Sequence, residues 1–352
     1  MNLALMEKIA NAVLYEGYML YPYRPSSVKN QQRWTFGGIC PQSYSLAQGG
    51  TEAWTMQTEC VVVGERPVLE VRLRFLHLID RQVGVLVHPQ EQLVPGAEPD
   101  FRVVDVLQVG ERRVQAWQEA TEREAGVGEL PLTELINARR QIPFAFPYSR
   151  ELEPVRDAAG PVIGVIVREQ QPINGILEIE AAQTGDRLWK LTVRIMNLTT
   201  LDQAEMQSRD VALLRSFIST HTLFGVQRGE FVSLFDPPTA YSELVASCQN
   251  VGSWPVLVGE PEQADMLLAS PIILYDYPQI APESPGDLFD GTEIDEILTL
   301  RILTMTEEEK REMGAVDERA RVLLSRTEAL AREQLMSLHG TVRGMRPLGD
   351  GQ

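Results

Sequence analysis

The sequence predicts a mainly β or α+β protein, with antiparallel β-sandwich-like sheets and peripheral helices at the N-terminal and C-terminal ends. Three observations carry that expectation. Residues 69–79 alternate, with Leu69, Val71, Leu73, Phe75, His77 and Ile79 on one face and Glu70, Arg72 and Arg74 on the other, the period of a half-buried strand. Residues 161–197 read as a meander, with turn signals every ~8–12 residues as in sandwiches and barrels. Strands and helices do not alternate along the chain, which argues against a doubly wound sheet.

Taken in order, Leu3, Met6, Ala10, Val13 and Leu14 recur at helical spacing. Pro22 and Pro25 end that helix, because each forces extended backbone on the residue before it. Tyr15, Tyr18, Tyr21 and Tyr23 crowd this exit and fit either an aromatic plug of the core or a surface that meets a partner. Residues 33–36 and 54–63 read as strands, and 101–107 with 113–117 fit a hairpin around Gly110. Glu119, Glu122 and Glu124 suggest a polar turn or short helix, and residues 130–136 the opening of another. Pro143 and Pro147 lack a donor, so 142–148 reads as a connector and not as a central strand.

Strands follow at 161–168, 175–180 and 188–197, the last with Trp189, Leu191, Val193 and Ile195 on one face. The stripe Val211, Leu213, Leu214, Phe217 and Ile218 predicts a helix over 209–220. Residues 231–235 look extended, 237–244 fit a turn and short helix, and prolines make 271–286 an irregular, ordered loop. Residues 294–303 are apolar on both faces and read as a buried strand. Thr306 and Glu309 have the spacing of a capping box, which opens a short helix to about Met313. Asp317 is placed to cap a longer helix, and the glycine-rich tail after His339 is expected to fray.

A length of 352 residues suggests about two domains. The expected division is an N-terminal helix with a β-rich block over 1–150, a second antiparallel block with an inserted helix over 151–305, and C-terminal helices with a tail over 306–352. One compact unit is the alternative. The net charge of −17, from 49 acids against 32 bases, argues against a nucleic-acid partner. No apolar run approaches the ~20 residues of a membrane span. Residues 1–8 lack a secretory pattern, and Cys40, Cys60 and Cys248 form no closely spaced pair. The expectation is a cytoplasmic protein with reduced thiols.

Few residues point to chemistry. His77 falls on an apolar strand face and reads as a core histidine, and neither it nor His88 belongs to a metal-ligand pattern. Ser26 and Lys29 have the spacing of a serine–lysine nucleophile, but its companion motifs are missing. No phosphate-binding glycine loop is present. Carboxylates remain: Glu178 and Glu180 share a strand face, and Asp287, Asp290, Glu293, Asp295 and Glu296 cluster without the spacing of a calcium loop. That acidic run reads as a solvated edge or as a docking surface for a basic partner.

Three blocks look familiar together: 11–24 running on through 28–37, then 69–76, then 269–278 extending to 295–298. They resemble an uncharacterised bacterial protein family associated with nickel–iron hydrogenase gene clusters, particularly those of high-affinity aerobic hydrogenases. The resemblance runs the length of the chain. No catalytic signature is defined within these blocks, so no residue role is carried over. The resemblance implies a part in hydrogenase maturation, metal delivery or assembly. The missing histidine runs and cysteine pairs depart from a metal carrier and favour a protein-binding chaperone or scaffold.

The resulting expectation is a non-catalytic accessory protein, with no cofactor and with hydrogenase subunits or maturation factors as partners. Its candidate partner-binding residues are Tyr18, Tyr21, Tyr23, Arg24, Tyr275, Asp276 and Tyr277, expected to converge in space. The rival expectations are an enzyme built on Glu178, Glu180 or the 287–296 carboxylates, and a metal-binding accessory protein using His77, His88 or a cysteine.

Overall fold

A computed structural model describes residues 3–14, 37–94, 96–110, 112–136, 138–158, 160–261, 263–278 and 302–314, with 321, 324–325 and 327–329. The chain divides into one unit of Met1–Met19 with Arg33–Pro278 and a second of Leu20–Gln32 with Gln279–Gln352.

The first unit opens with helix α1 (Leu3–Leu14) and the short α2 (Gln42–Ala47). Strands β1 (Thr55–Val63) and β2 (Val68–Gln90) follow. Next come β3 (Phe101–Val104), the hairpin β4 (Val106–Val109) and β5 (Arg112–Gln115), and then β6 (Trp117–Pro131). Strands β7 (Arg140–Phe146), β8 (Ser149–Arg156), β9 (Val162–Gln170), β10 (Ile173–Gly185) and β11 (Leu188–Asn197) continue the chain. Helix α3 (Arg209–Leu213), β12 (Ile218–Gln227), β13 (Glu230–Phe231), helix α4 (Ser242–Ala246), β14 (Trp254–Leu257) and β15 (Met266–Ser270) complete it.

Among the described residues these strands form two large antiparallel sheets. One has the order β13-β1-β11-β10-β7, and the other β14-β15-β12-β2-β9-β8 with β3 and β6 also on β2. The antiparallel, mainly β architecture is the one the sequence predicts. The sheets meet face to face over one core. Cys60, Val62, Leu177, Ile179, Trp189, Leu191, Val193 and Ile195 come from the first sheet, and Leu69, Val71, Leu73, Phe75, Phe224, Val226, Leu267 and Ala269 from the second. Phe75 stands at the aromatic end of this core, 4.7 Å from Phe217 and 6.0 Å from both Phe144 and Phe146. The outer face of the second sheet is covered by α1, whose Ile9, Ala10 and Val13 pack on Leu223, Val256, Val258, Met266 and Leu268. Arg72 fastens α1 through an ion pair to Glu7 at 2.9 Å.

Strand β2 is long enough to serve two cores. Its first half pairs with β12 on one side and β6 on the other. Its second half pairs with β9 and β3. There a smaller lobe forms, with Val83, Leu107, Val114, Val155 and Ile166 on one face and Leu86, Val162, Val165 and Val167 on the other. Gly84 allows this packing, because a Cβ there would lie 2.2 Å from the Phe101 ring.

Several elements differ from expectation. Residues 118–131 are not a polar turn or helix but strand β6, whose glutamates face arginines of β2: Glu122 pairs with Arg74 at 3.0 Å and Glu119 with Arg81 at 3.3 Å. Cross-strand ion pairs make a charged segment a good strand partner. The segment at 130–136 closes in a single 3-10 turn over Leu132–Leu135. Residues 142–146 are no free connector; they lie in β7, at the sheet edge, where Pro143 needs no donor. The helix expected over 209–220 stops at Leu213, and β12 begins at Ile218 because both of its edges find partners, in β2 and β15. Strands β12 and β15 carry no clear alternation, since both of their faces are buried. Within the first unit the strands before and after residue 150 interleave: β1 pairs with β11, β2 with β9 and β12, and β7 with β10.

In the second unit, helix α5 (Glu307–Gly314) begins with the expected capping box. Thr306 N–H donates to Glu309 Oε2 at 2.7 Å, and Glu309 N–H to Thr306 Oγ1 at 3.2 Å. Ile302 and Leu303, the described end of the expected strand at 294–303, are helical. Asp317, the strand at 33–36 and the tail after His339 lie outside the described residues. Among the described residues no helix is long and apolar enough to cross a membrane, which does not bear on spans built from strands.

Phe75→Ala is expected to cost about 3–5 kcal/mol by opening a cavity among Phe144, Phe146 and Phe217, whereas Val103→Thr, on the exposed face of β3, should change stability by about 0.5 kcal/mol or less. Urea unfolding of both variants checks this; equal midpoints would place the core elsewhere.

Candidate functional site

Three places hold the residues that the sequence singles out. The first is the turn that follows β15. Tyr275 and Phe235 are 71% and 69% exposed, yet they stack edge to face with ring centroids 5.4 Å apart. Asp276 fixes them from below. Its Oδ1 accepts from Leu257 N–H at 2.8 Å, and its Oδ2 accepts the Ser233 hydroxyl. Ser233 Oγ in turn accepts from Asp236 N–H at 2.8 Å and Phe235 N–H at 3.2 Å. Tyr277 N–H donates to Leu257 O at 2.7 Å, and its ring packs on the main core. Tyr277 takes a left-handed backbone, φ 55°, to make that turn. Burial and the neighbouring Asp276 push its phenol upward in pKa. The structure therefore divides the three expected residues by role: Tyr275 faces solvent, Asp276 ties the turn, and Tyr277 anchors it. Tyr18, Tyr21, Tyr23 and Arg24 lie outside the described residues. Phe235 was not singled out by the sequence, where it is one aromatic before Asp236-Pro237-Pro238.

The second place is the outer face of the first sheet. Glu178 and Glu180 do share one strand face, but Glu178 is buried and saturated. Arg194 Nη1 reaches Glu178 Oε1 at 3.2 Å and Glu180 Oε1 at 3.1 Å, Arg139 Nη1 reaches Glu178 Oε2 at 3.3 Å, and Gln141 donates to Glu178 Oε2 at 2.7 Å. Burial raises the pKa of Glu178, and these donors overcome it, so the carboxyl lies below its ordinary value. A general acid needs the opposite shift. Glu59 is held in the same way by Lys190 at 2.6 Å and by Thr192 and Gln249 N–H. The carboxylates at 287–296 lie outside the described residues.

The third place is a pair of buried histidines. His77 on β2 and His221 on β12 are both fully buried. Loss of water pushes each imidazole down to about 4; Arg123 adds to this at His77, and Arg74 adds at His221. His221 Nδ1 is 2.7 Å from Ser219 O, while its Nε2 has no partner. The core reading of His77 holds. His88 is exposed. Cys40 and Cys60 are buried, Cys248 is half-buried, and all three are free thiols whose pKa burial raises. Among the described residues no group of three or more metal-ligating side chains comes together.

No protein-family model matches the chain, and no curated protein matches it.

Both histidines are neutral in the fold and would take a proton near pH 6.5 when unfolded. The unfolded state thus binds more protons between about pH 6.5 and 4, so stability falls as pH drops through that window, by about 3 kcal/mol for each histidine. Glu178, with its lowered pKa, adds loss in the same direction as it protonates. Unfolding midpoints measured from pH 7.5 to 4 should show the decline, and the slope should flatten in His221→Gln. A midpoint independent of pH would contradict neutral burial.

Proposed function

We propose that this protein is a non-catalytic accessory protein that works by protein contact, with Phe235 and Tyr275 at the centre of the contact surface. The exposed aromatic pair carries the reading. Two large aromatic side chains facing water bring apolar area to an interface, and tyrosine and phenylalanine are enriched at such places. Their turn is tied to β14 and to the 233–236 turn by Asp276 and Ser233. Little conformational freedom is therefore left to lose on binding.

The partner class comes from the resemblance of the sequence blocks: a subunit or maturation factor of a nickel–iron hydrogenase. The reading places the protein in the cytoplasm, where its three free thiols stay reduced. The rival built on Glu178 and Glu180 is disfavoured, because arginines and Gln141 already occupy the Glu178 carboxylate.

Binding to purified hydrogenase large subunit and its maturation factors tests the proposal. The double variant Phe235→Ala, Tyr275→Ala should bind about 30-fold more weakly, the scale of a hot-spot pair. Its melting temperature should stay unchanged, since both rings are exposed. Equal affinity of variant and parent, or no binding of the parent to any of these proteins, would overturn it.

A further inference from the structure

Arg123 stands on β6 directly opposite Phe75, so it enters the aromatic end of the main core. Its guanidinium lies 4.7 Å from the centre of the Phe146 ring and donates from Nη2 to Gln170 Oε1 at 2.6 Å. Its buried Nε has no partner. Glu122 and Glu124 flank it in sequence but stand on the opposite face of β6, where Glu122 pairs with Arg74. Among the described residues no carboxylate lies within ion-pair reach of Arg123, and burial lowers its pKa with no opposing charge to offset it.

The surroundings are neutral or basic. Gln170 Nε2 donates to His77 O at 3.3 Å, and the neighbouring Gln171 accepts from Arg215 Nη2 at 2.7 Å. Arg215 also lacks a carboxylate within reach among the described residues. The His77 ring is fully buried beside them, and neither of its nitrogens meets hydrogen-bond geometry. The backbones of Gln171 and Leu214 lie close enough to favour its protonated form.

This arrangement runs against the rest of the molecule. Where other arginines lose water, an acid accompanies them: Arg81 has Glu119, Arg168 has Glu119 and Glu153, and Arg194 has Glu178 and Glu180. A chain with 49 acidic residues has no shortage of counter-charges. A partly desolvated guanidinium steadied by an uncharged amide leaves its remaining N–H groups for an external acceptor. The fork of Arg matches the two oxygens of a carboxylate or phosphate.

We propose that Arg123, with Arg215 held on the neighbouring Gln171, binds the oxyanion of a small molecule, a carboxylate or a phosphate, over the Phe146 ring at the end of the sandwich. The partly exposed rings of Phe144 and Phe146, backed by the buried Phe75, suit an apolar body on that anion. The site is separate from the contact surface proposed above and does not depend on it.

The test titrates the full chain with inorganic phosphate and, separately, with benzoate, following the arginine Nε–Hε and histidine ring resonances by NMR. Saturable shifts at Arg123 and His77 are expected with at least one probe, and which probe binds more tightly identifies the oxyanion. Arg123→Gln should weaken that binding by at least about tenfold, and Arg215→Gln by a smaller factor. Arg113→Gln, exposed on β5, should leave it unchanged. Should Arg123→Gln fail to fold, the Arg215→Gln result and the site of the wild-type shifts decide alone. No saturable binding of either probe, or equal affinity in the Arg123 or Arg215 variant, would overturn the proposal.

Discussion

The backbone pairing of β2 is the constraint on which the rest of the first unit depends. Over Val68–Arg81 its one edge is occupied by β6, and over Val83–Leu86 by β3. Its other edge passes from β12 to β9. A strand of 23 residues cannot remain half-buried against one core throughout, because strands twist and sheets of this length diverge. The chain resolves this by changing partners near Asp80, where β12 has ended and β9 begins. Beyond that point the small lobe forms around Val83 and Leu86.

That change of partners explains where the polar groups sit. At the junction Arg81 and Arg168 share Glu119, and Arg168 also reaches Glu153 on β8. Paired charges tie the strands together there, with Arg81 itself buried. Just inside the junction, the main core ends in phenylalanines, His77 and Arg123. There the pattern of paired charges breaks, and the break is what singles out Arg123. On the outer face of the first sheet the same logic gives a closed ladder from Gln57 through Arg194 to Glu178 and Gln141, with each acid matched. Matched charges hold sheets together; unmatched ones mark places where something else can bind.

The sequence made the half-buried elements legible. The alternation at 69–79, the stripe Trp189, Leu191, Val193 and Ile195, and helix α1 all appear where their periods put them. The Thr306–Glu309 box was readable because a cap is local chemistry. Elements buried on both faces were not. The β12 segment from Ile218 to Gln227 has no exposed side to reveal its period, and the helical spacing of Val211, Leu213, Leu214 and Phe217 just before it extends the expected helix into its start. Strand β6 failed for the opposite reason: its glutamates looked solvated because the arginines that receive them lie 38 and 48 residues away. At the candidate contact site, Tyr275 and Tyr277 are two residues apart and equivalent in sequence, yet one faces water and the other the core.

By itself, then, the sequence determined the fold class, the elements with one wet face, the local caps and the absence of a basic nucleic-acid footprint. Each depends on the order of residues within a turn or two of chain. Tertiary structure alone decided which strands pair, that the strands before and after residue 150 interleave within the first unit, which tyrosine faces solvent, and that Glu178 is spoken for while Arg123 is not. Those outcomes depend on which side chains meet across long separations in sequence, and on water being excluded when they do. Neither is written in the local period of the chain.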